Sequence, residues 1–264
     1  MAFRNKPSPF DCIIFDLDDT LYPSNTGIGA AVKKNIDLFL MEKCGFSQSK
    51  ASTLRVELFK SHGSTLAGLR ALGYDITAEE YHGFVHGRLP YELIKPDIQL
   101  RNLLRSINQR KIIFTNSDRI HALRALDRLG ITDCFEQIIC FETLNPNLPN
   151  STRPDEFPVL LKPSPDAFKI AIQAANVDPR HTLFLDDSVR NIIAGKEMGL
   201  HTVLVGETVK NNVGDYVVEC VNSVTLAEVI PEIWGSRVDD YDQKLSRTNS
   251  ELDALLSAYT AVGA

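Results

Sequence analysis

Five cysteines are scattered through 264 residues without a Cys-x-x-Cys pair. Neither a disulfide framework nor a cysteine-held metal is expected, and a reducing compartment is the simpler home. No apolar run reaches membrane-spanning length, and Met1 to Phe10 lacks the apolar core of a signal peptide, so a cytoplasmic protein with no membrane partner is expected. Positive charge is in deficit, with 28 Lys and Arg against 34 Asp and Glu and a formal net charge of −6. That balance argues against a nucleic-acid partner while leaving room for a local phosphate pocket. His62, His82, His86, His121, His181 and His201 show no zinc spacing and read as structural. Gly63, Gly68 and Gly73 lack the strand, turn and helix context of a phosphate-cradling loop.

Hydrophobic residues make up 44% of the chain, enough for one sizeable domain and a smaller one. The organising stretch runs from Cys12 to Tyr22: an apolar run that reads as a buried strand, followed at once by Asp16, Asp18 and Asp19. Residues two apart on an extended backbone point the same way, so Asp16 and Asp18 can address one pocket. Phe184 to Ser188 repeats the pattern, an apolar strand closed by Asp186 and Asp187. Clustered carboxylates need a counter-ion, and a divalent cation between Asp16 and Asp186 would both neutralise them and polarise a phosphate oxygen.

After Tyr22 the periodicity turns helical, over Gly27 to Cys44, Ser47 to Lys60, Thr65 to Leu72 and Ala78 to Val85. About eighty residues without a second strand exceed one crossover in a parallel α/β chain, so this stretch reads as an inserted helical cap. From Leu100 onward helices and strands alternate: strands at Lys111 to Ser117, Phe135 to Phe141, His181 to Leu185 and Thr202 to Val205, helices at Leu100 to Ile107, Arg119 to Gly130, Asp166 to Ala175 and Val189 to Met198. Glu142 to Pro158 reads as a loop, Asp215 to Val218 as an edge strand and Thr225 to Ile233 as a last helix. The expected fold is α/β, a Rossmann-like parallel-sheet core with an inserted helical cap. Its expected division is a core of residues 1–22 and 97–234, a cap of 23–96, and a tail of 235–264 comprising a polar linker and a short helix.

Such a fold brings Asp16, Asp18, Thr115, Asn116, Lys162, Asp186 and Asp187 to one edge. Their chemistry is coherent: one carboxylate attacks phosphorus, a second serves as acid and then base, and a lysine with a hydroxyl meets the phosphoryl charge. At these residues the chain resembles the haloacid-dehalogenase superfamily phosphatases. The matching segments are Asp16-Leu17-Asp18-Asp19-Thr20, Phe114-Thr115-Asn116, Leu161-Lys162-Pro163 and Asp186-Asp187, in the family's order. The resemblance implies an aspartyl-phosphate on Asp16, acid/base work by Asp18, and Mg²⁺ held by the Asp16 carboxylate, the Asp18 carbonyl and Asp186, with Asp187 in support. It also implies a phosphohydrolase rather than a dehalogenase, because Asp18 is present.

A narrower likeness, carried by Asp19 to Pro23, Gly87 to Tyr91 and Cys140 to Asn145, is to the pyrimidine 5′-nucleotidase branch of plants and fungi. Its plant side implies xanthosine 5′-monophosphate (XMP), a purine nucleotide, as substrate. Alternatives are a pyrimidine nucleotide or another small phosphate monoester, a phosphotransferase or phosphomutase, and a silent nucleotide-binding protein. Tyr22, Ser24, Asn25 and Thr26 at the cap entrance, with Arg88 and Tyr91 at the return, are the expected substrate contacts. A monomer or weak homodimer is expected.

Overall fold

The computed structural model describes residues 7–148, 158–207 and 213–234. The expected tail linker and helix, and part of the loop expected up to Pro158, lie outside the described residues. Six strands, β1 (Cys12–Phe15), β2 (Arg110–Phe114), β3 (Gln137–Ile139), β4 (Thr182–Asp186), β5 (His201–Val205) and β6 (Tyr216–Val218), form one sheet in the order β3-β2-β1-β4-β5-β6. Every neighbouring pair is parallel. The chain leaves central β1 for β2 and β3 on one side and returns to β4 on the other, which opens a crevice beyond the carboxyl ends of β1 and its neighbours.

Both faces of the sheet are apolar because both are covered. Ile13, Phe15, Ile113, Leu183, Leu185 and Val203 face one buried cluster. Cys12, Ile14, Ile112, Phe114, Phe184 and Leu204 face the other, where Phe114, Phe168 and Phe184 meet edge to face or tilted. The core helices are α5 (Ile98–Ser106), α6 (Arg119–Leu129), α7 (Phe141–Leu144), α8 (Pro165–Ala175), α9 (Val189–Glu197) and α10 (Ser223–Val229).

Between β1 and α5 there is no strand. Four helices, α1 (Ile28–Glu42), α2 (Gln48–His62), α3 (Thr65–Ala71) and α4 (Ala78–Val85), form the cap. Phe39, Leu40, Leu58, Leu69, Tyr81 and Phe84 enclose a third apolar cluster there. The ring of Phe39 packs edge-on to both Tyr81 and Phe84. The two crossings between core and cap run side by side. Gly27 opens α1 at φ +93, a conformation that disfavours a side chain, and a Cβ there would lie 3.2 Å from Leu93 of the returning segment.

Two elements differ from their sequence reading. The strand expected over Phe135 to Phe141 keeps only three residues, and α7 takes its last residue and the first three of the expected loop, because Cys140 is extended and Thr143 Oγ1 accepts its N–H at 3.3 Å. The helix expected over Thr225 to Ile233 stops at Val229 and resumes as a 3₁₀ turn, Pro231–Trp234. Pro231 has no N–H to give and disfavours a helical Ile230. No helix among the described residues is long and apolar enough to cross a membrane.

Candidate active site

β1 and β4 set the site by register. Phe15 lies opposite Leu185, so the next residues, Asp16 and Asp186, emerge side by side where the pairing ends. The Asp16 N–H still reaches the Leu185 carbonyl at 2.8 Å, which fixes the last backbone step before the turn. Asp19 then adopts φ +61 and turns the chain. The turn brings Thr20 Oγ1 back to donate to Asp16 Oδ2 at 2.9 Å, and the same oxygen accepts the Asp187 N–H at 3.1 Å.

Lys162 arrives from the segment before α8 with its ammonium fully used. It donates to Asp16 Oδ1 and Asp186 Oδ2, each at 2.7 Å, and to the Phe114 carbonyl at 2.6 Å. Its side chain is 1% exposed and lies over the Phe114 and Phe184 rings at 4.9 and 5.5 Å. Burial alone would discharge this lysine, but Asp16 and Asp186 outweigh it and raise its pKa. Asn116 clasps the lysine's own backbone, donating to the Lys162 carbonyl at 3.0 Å and accepting from its N–H at 2.8 Å. Asn191 and the Ser188 N–H hold Asp186 Oδ1, each at 2.9 Å.

Asp16, Asp186 and Asp187 each offer a carboxylate oxygen within 4.8 Å of the others. Burial and the neighbouring charges of Asp186 and Asp19 raise Asp187 to about 6. An all-carboxylate donor set of this size fits a hard divalent cation such as Mg²⁺. Thr115 is buried at the tip of β2, its hydroxyl oxygen accepting the Ser117 N–H at 3.0 Å.

Asp18 stands apart from this cluster, turned toward the cap. Its Oδ2 accepts from Ser117 Oγ at 2.8 Å, and its Oδ1 meets His121 Nε2 at 2.6 Å and the Tyr22 hydroxyl. Burial would raise its pKa, but the His121 charge and these donors reverse the shift and hold Asp18 below the ordinary carboxylate range.

A cavity of about 470 Å³ opens from Asp18 into the space between core and cap. Ser117 and His121 line its core side, and Val32, Val56 and Phe59 line its cap side. Val56 and Phe59 are 40% and 55% exposed, unlike the enclosed rings beneath them. Lys33 and Lys60, both exposed, also line it; neither ammonium is within ion-pair or hydrogen-bond distance of a partner among the described residues, although the Lys33 charge acts on Asp19. Arg55 contributes too, but its Nε is committed to Asp37 at 2.7 Å.

The structure thus gathers Asp16, Thr115, Lys162, Asp186 and Asp187 at one edge, with Asp18 facing the cavity. Tyr22 and Tyr91 direct their hydroxyls at Asp18 and at His121 Nδ1, the latter at 2.9 Å. Ser24 and Asn25 are exposed on a 3₁₀ turn, and neither they nor Thr26 line the cavity. Arg88 is also outside it, 3.7 Å above the Phe84 ring and 3.8 Å from Glu42. The sequence reading missed Thr20, Ser117, His121 and Asn191, and it missed Phe59, Lys33 and Lys60. The spacing of His82 and His86, four apart on one helix face, was the available signal that α4 presents imidazoles toward the core.

The model of one family, the haloacid dehalogenase-like hydrolases, matches residues 10–199. The chain belongs to that family. Among its relatives, phosphate metabolism protein 8 of Saccharomyces cerevisiae is 28% identical over 80% of this chain. The chain spans 64% of that relative's length. A glyceraldehyde 3-phosphate phosphatase of Pyrococcus abyssi is 26% identical over 72% of this chain and 79% of its own. Among solved structures, a HAD phosphatase from Thermococcus onnurineus is similar with a TM-score of 0.57. That match covers 87% of this chain and 100% of the other at 19% identity, a likeness of fold. Membership in this family supports a hydrolytic activity for the acidic cluster at the tips of β1 and β4.

Proposed function

We propose that this hydrolase is a Mg²⁺-dependent 5′-nucleotidase that converts a nucleoside monophosphate, foremost XMP, into nucleoside and phosphate. The observation that carries the reading is the cavity beside Asp18. It offers the exposed face of Phe59 as a platform for a planar base, and two exposed lysines for its oxygens or its charge. Xanthine, more acidic than the other common bases, suits the lysines on the cap side of this lining, across from the Asp18 and Asp19 carboxylates on its core side, better than a neutral base does.

In the proposed reaction an Asp16 carboxylate oxygen forms a bond to phosphorus as the bond to the nucleoside oxygen breaks. Asp18, which takes up a proton as the anionic ester binds beside it, gives that proton to the departing oxygen. Asp18 then takes a proton from water, which attacks the aspartyl-phosphate and frees Asp16 and inorganic phosphate. Lys162 keeps Asp16 aimed, while Thr115 and the Asn116 N–H meet the phosphoryl oxygens. Mg²⁺, held by Asp16, Asp186, Asp187 and the Asp18 carbonyl, would neutralise phosphate charge and act as a Lewis acid. The cap, residues 23–96 in this proposal, encloses the leaving group and keeps bulk water from it.

Turnover of XMP, GMP, IMP, UMP, CMP and short sugar phosphates tests the reading, using the folded chain and its Phe59→Ala and Lys33→Met/Lys60→Met variants. The expected result is preference for XMP, with Phe59→Ala costing about 10- to 100-fold in kcat/KM on nucleotides and little on sugar phosphates. The double lysine variant should lose most on XMP. Preference for a three-carbon phosphate, with no base-dependent loss, would replace the nucleotidase reading by a small-metabolite phosphatase.

A further inference from the structure

We propose that His121 is a positioning residue for the reaction: it fixes the Asp18 carboxylate toward the leaving oxygen and ties that carboxylate to both crossings between core and cap. The proposal rests on the reading of Asp18 as the acid and base of the reaction.

His121 lies in the first turn of α6 and is 1% exposed. Its own N–H is taken by Asp118, the N-cap of that helix, at 3.2 Å. In the ionised state, where it serves as base, Asp18 offers only acceptors, and the 2.6 Å contact then places a proton on Nε2. The opposite ring nitrogen, Nδ1, is 2.9 Å from the Tyr91 hydroxyl. Tyr91 stands on the 3₁₀ turn Tyr91–Leu93, where the chain returns from the cap. Tyr22 stands on the outgoing crossing and donates directly to Asp18 Oδ1. Both crossings therefore end on one carboxylate oxygen, one directly and one through an imidazole. The cap also touches this assembly from α4: His86 pairs with Asp118, and its ring lies 4.7 Å from that of His121. With Ser117 holding Oδ2, the carboxyl plane is fixed from both sides. A carboxyl group that must serve a leaving oxygen gains rate from such fixing only in the step where it transfers a proton.

That restriction separates positioning from space-filling. The measurement is the first-turnover release of the leaving group from two monoesters, one with an alkyl leaving group such as a nucleotide and one being p-nitrophenyl phosphate. The p-nitrophenolate leaves readily without a proton, so the aryl ester bypasses the acid. Asp18→Asn sets the scale. His121→Phe should slow first-turnover release from the alkyl ester by about 10²-fold, the aryl ester by less than about tenfold, with KM within about twofold. His121→Asn, which keeps an N–H donor, should recover part of the loss. Tyr91→Phe, which keeps the ring, should show the same split at about a tenth of the size, and it answers the question even where His121→Phe does not fold. Equal losses on both esters in the His121 and Tyr91 variants, beside a selective Asp18→Asn, would overturn the positioning role alone. Equal losses in Asp18→Asn itself would overturn the acid reading beneath it.

Discussion

At the sheet edge, Lys162, Asp16 and Asp186 form a closed electrostatic unit in which the ammonium touches a carboxylate oxygen of each aspartate and the lysine is 1% exposed. Across the cavity the cap presents the opposite: Phe59 and Val56 half open to solvent, and Lys33 and Lys60 without a bonded partner among the described residues. In the proposed reaction, preorganised charge suits the phosphoryl group, which would be the same in every substrate. Unfilled apolar surface with loose cations suits the part of the substrate that varies. The contrast teaches where chemistry and choice reside: changes at the edge should remove turnover for all esters alike, and changes in the cap should reorder substrates.

The largest effect should come from Asp16→Asn. Asparagine keeps the shape but cannot attack phosphorus. Turnover of every ester should fall by at least about 10³-fold, with a near-native melting profile. Substantial Mg²⁺-dependent hydrolysis by this folded variant would end the nucleophile assignment. Lys162→Met should act on stability as well. It leaves Asp16 and Asp186 buried against each other without their cation, at a cost of about 3–5 kcal/mol. Added Mg²⁺ should raise the melting temperature of this variant more than that of the parent, because the ion meets the same carboxylates. Equal shifts in both proteins would place the ion elsewhere.

The same contrast explains what could be read from the sequence. Asp16 and Asp186 were legible because each closes an apolar run, and parallel pairing brings run ends together. Lys162 was legible as a charge-compensating group at the same edge, and its family segment singled it out, since nothing in Leu161-Lys162-Pro163 itself announces a buried ammonium. The partners of Asp18 were not legible in the same way. His121 lies 103 positions away and sits in an ordinary helical pattern, where its role depends on how α6 abuts the turn after β1. Ser24, Asn25 and Arg88 were chosen for nearness along the chain, but a 3₁₀ turn and the Phe84 ring carry them off the cavity. Phe59 escaped notice for a further reason. On α2 the apolar residues Leu54 and Leu58 face the cap interior while Val56 and Phe59 face open space, and hydrophobicity alone does not distinguish a core from a binding wall.

The smallest effect tests the cap's hold on the core. His82 lies on α4, stacked on His86 at 5.4 Å with planes 9° apart, and meets Phe141 of the core edge-on at 4.5 Å. Burial, aided by His86 and His121 and opposed by Asp118, lowers its pKa to about 4. The unfolded chain takes up this proton as the pH falls through about 6.5, whereas the folded chain resists until about 4. Stability is therefore full above the upper value and declines toward the lower, by about 2 kcal/mol at a pH near 4.5. Asp118, held at about 2 by its histidine neighbours against burial, works in a lower window and does not obscure the slope. His82→Gln should flatten the fall in denaturation midpoint between neutral pH and that point while leaving the decline at lower pH in place. Parallel curves for the two proteins would mean that His82 is as free to charge in the folded chain as in the unfolded one, and that α4 does not seal this face of the cap against the core.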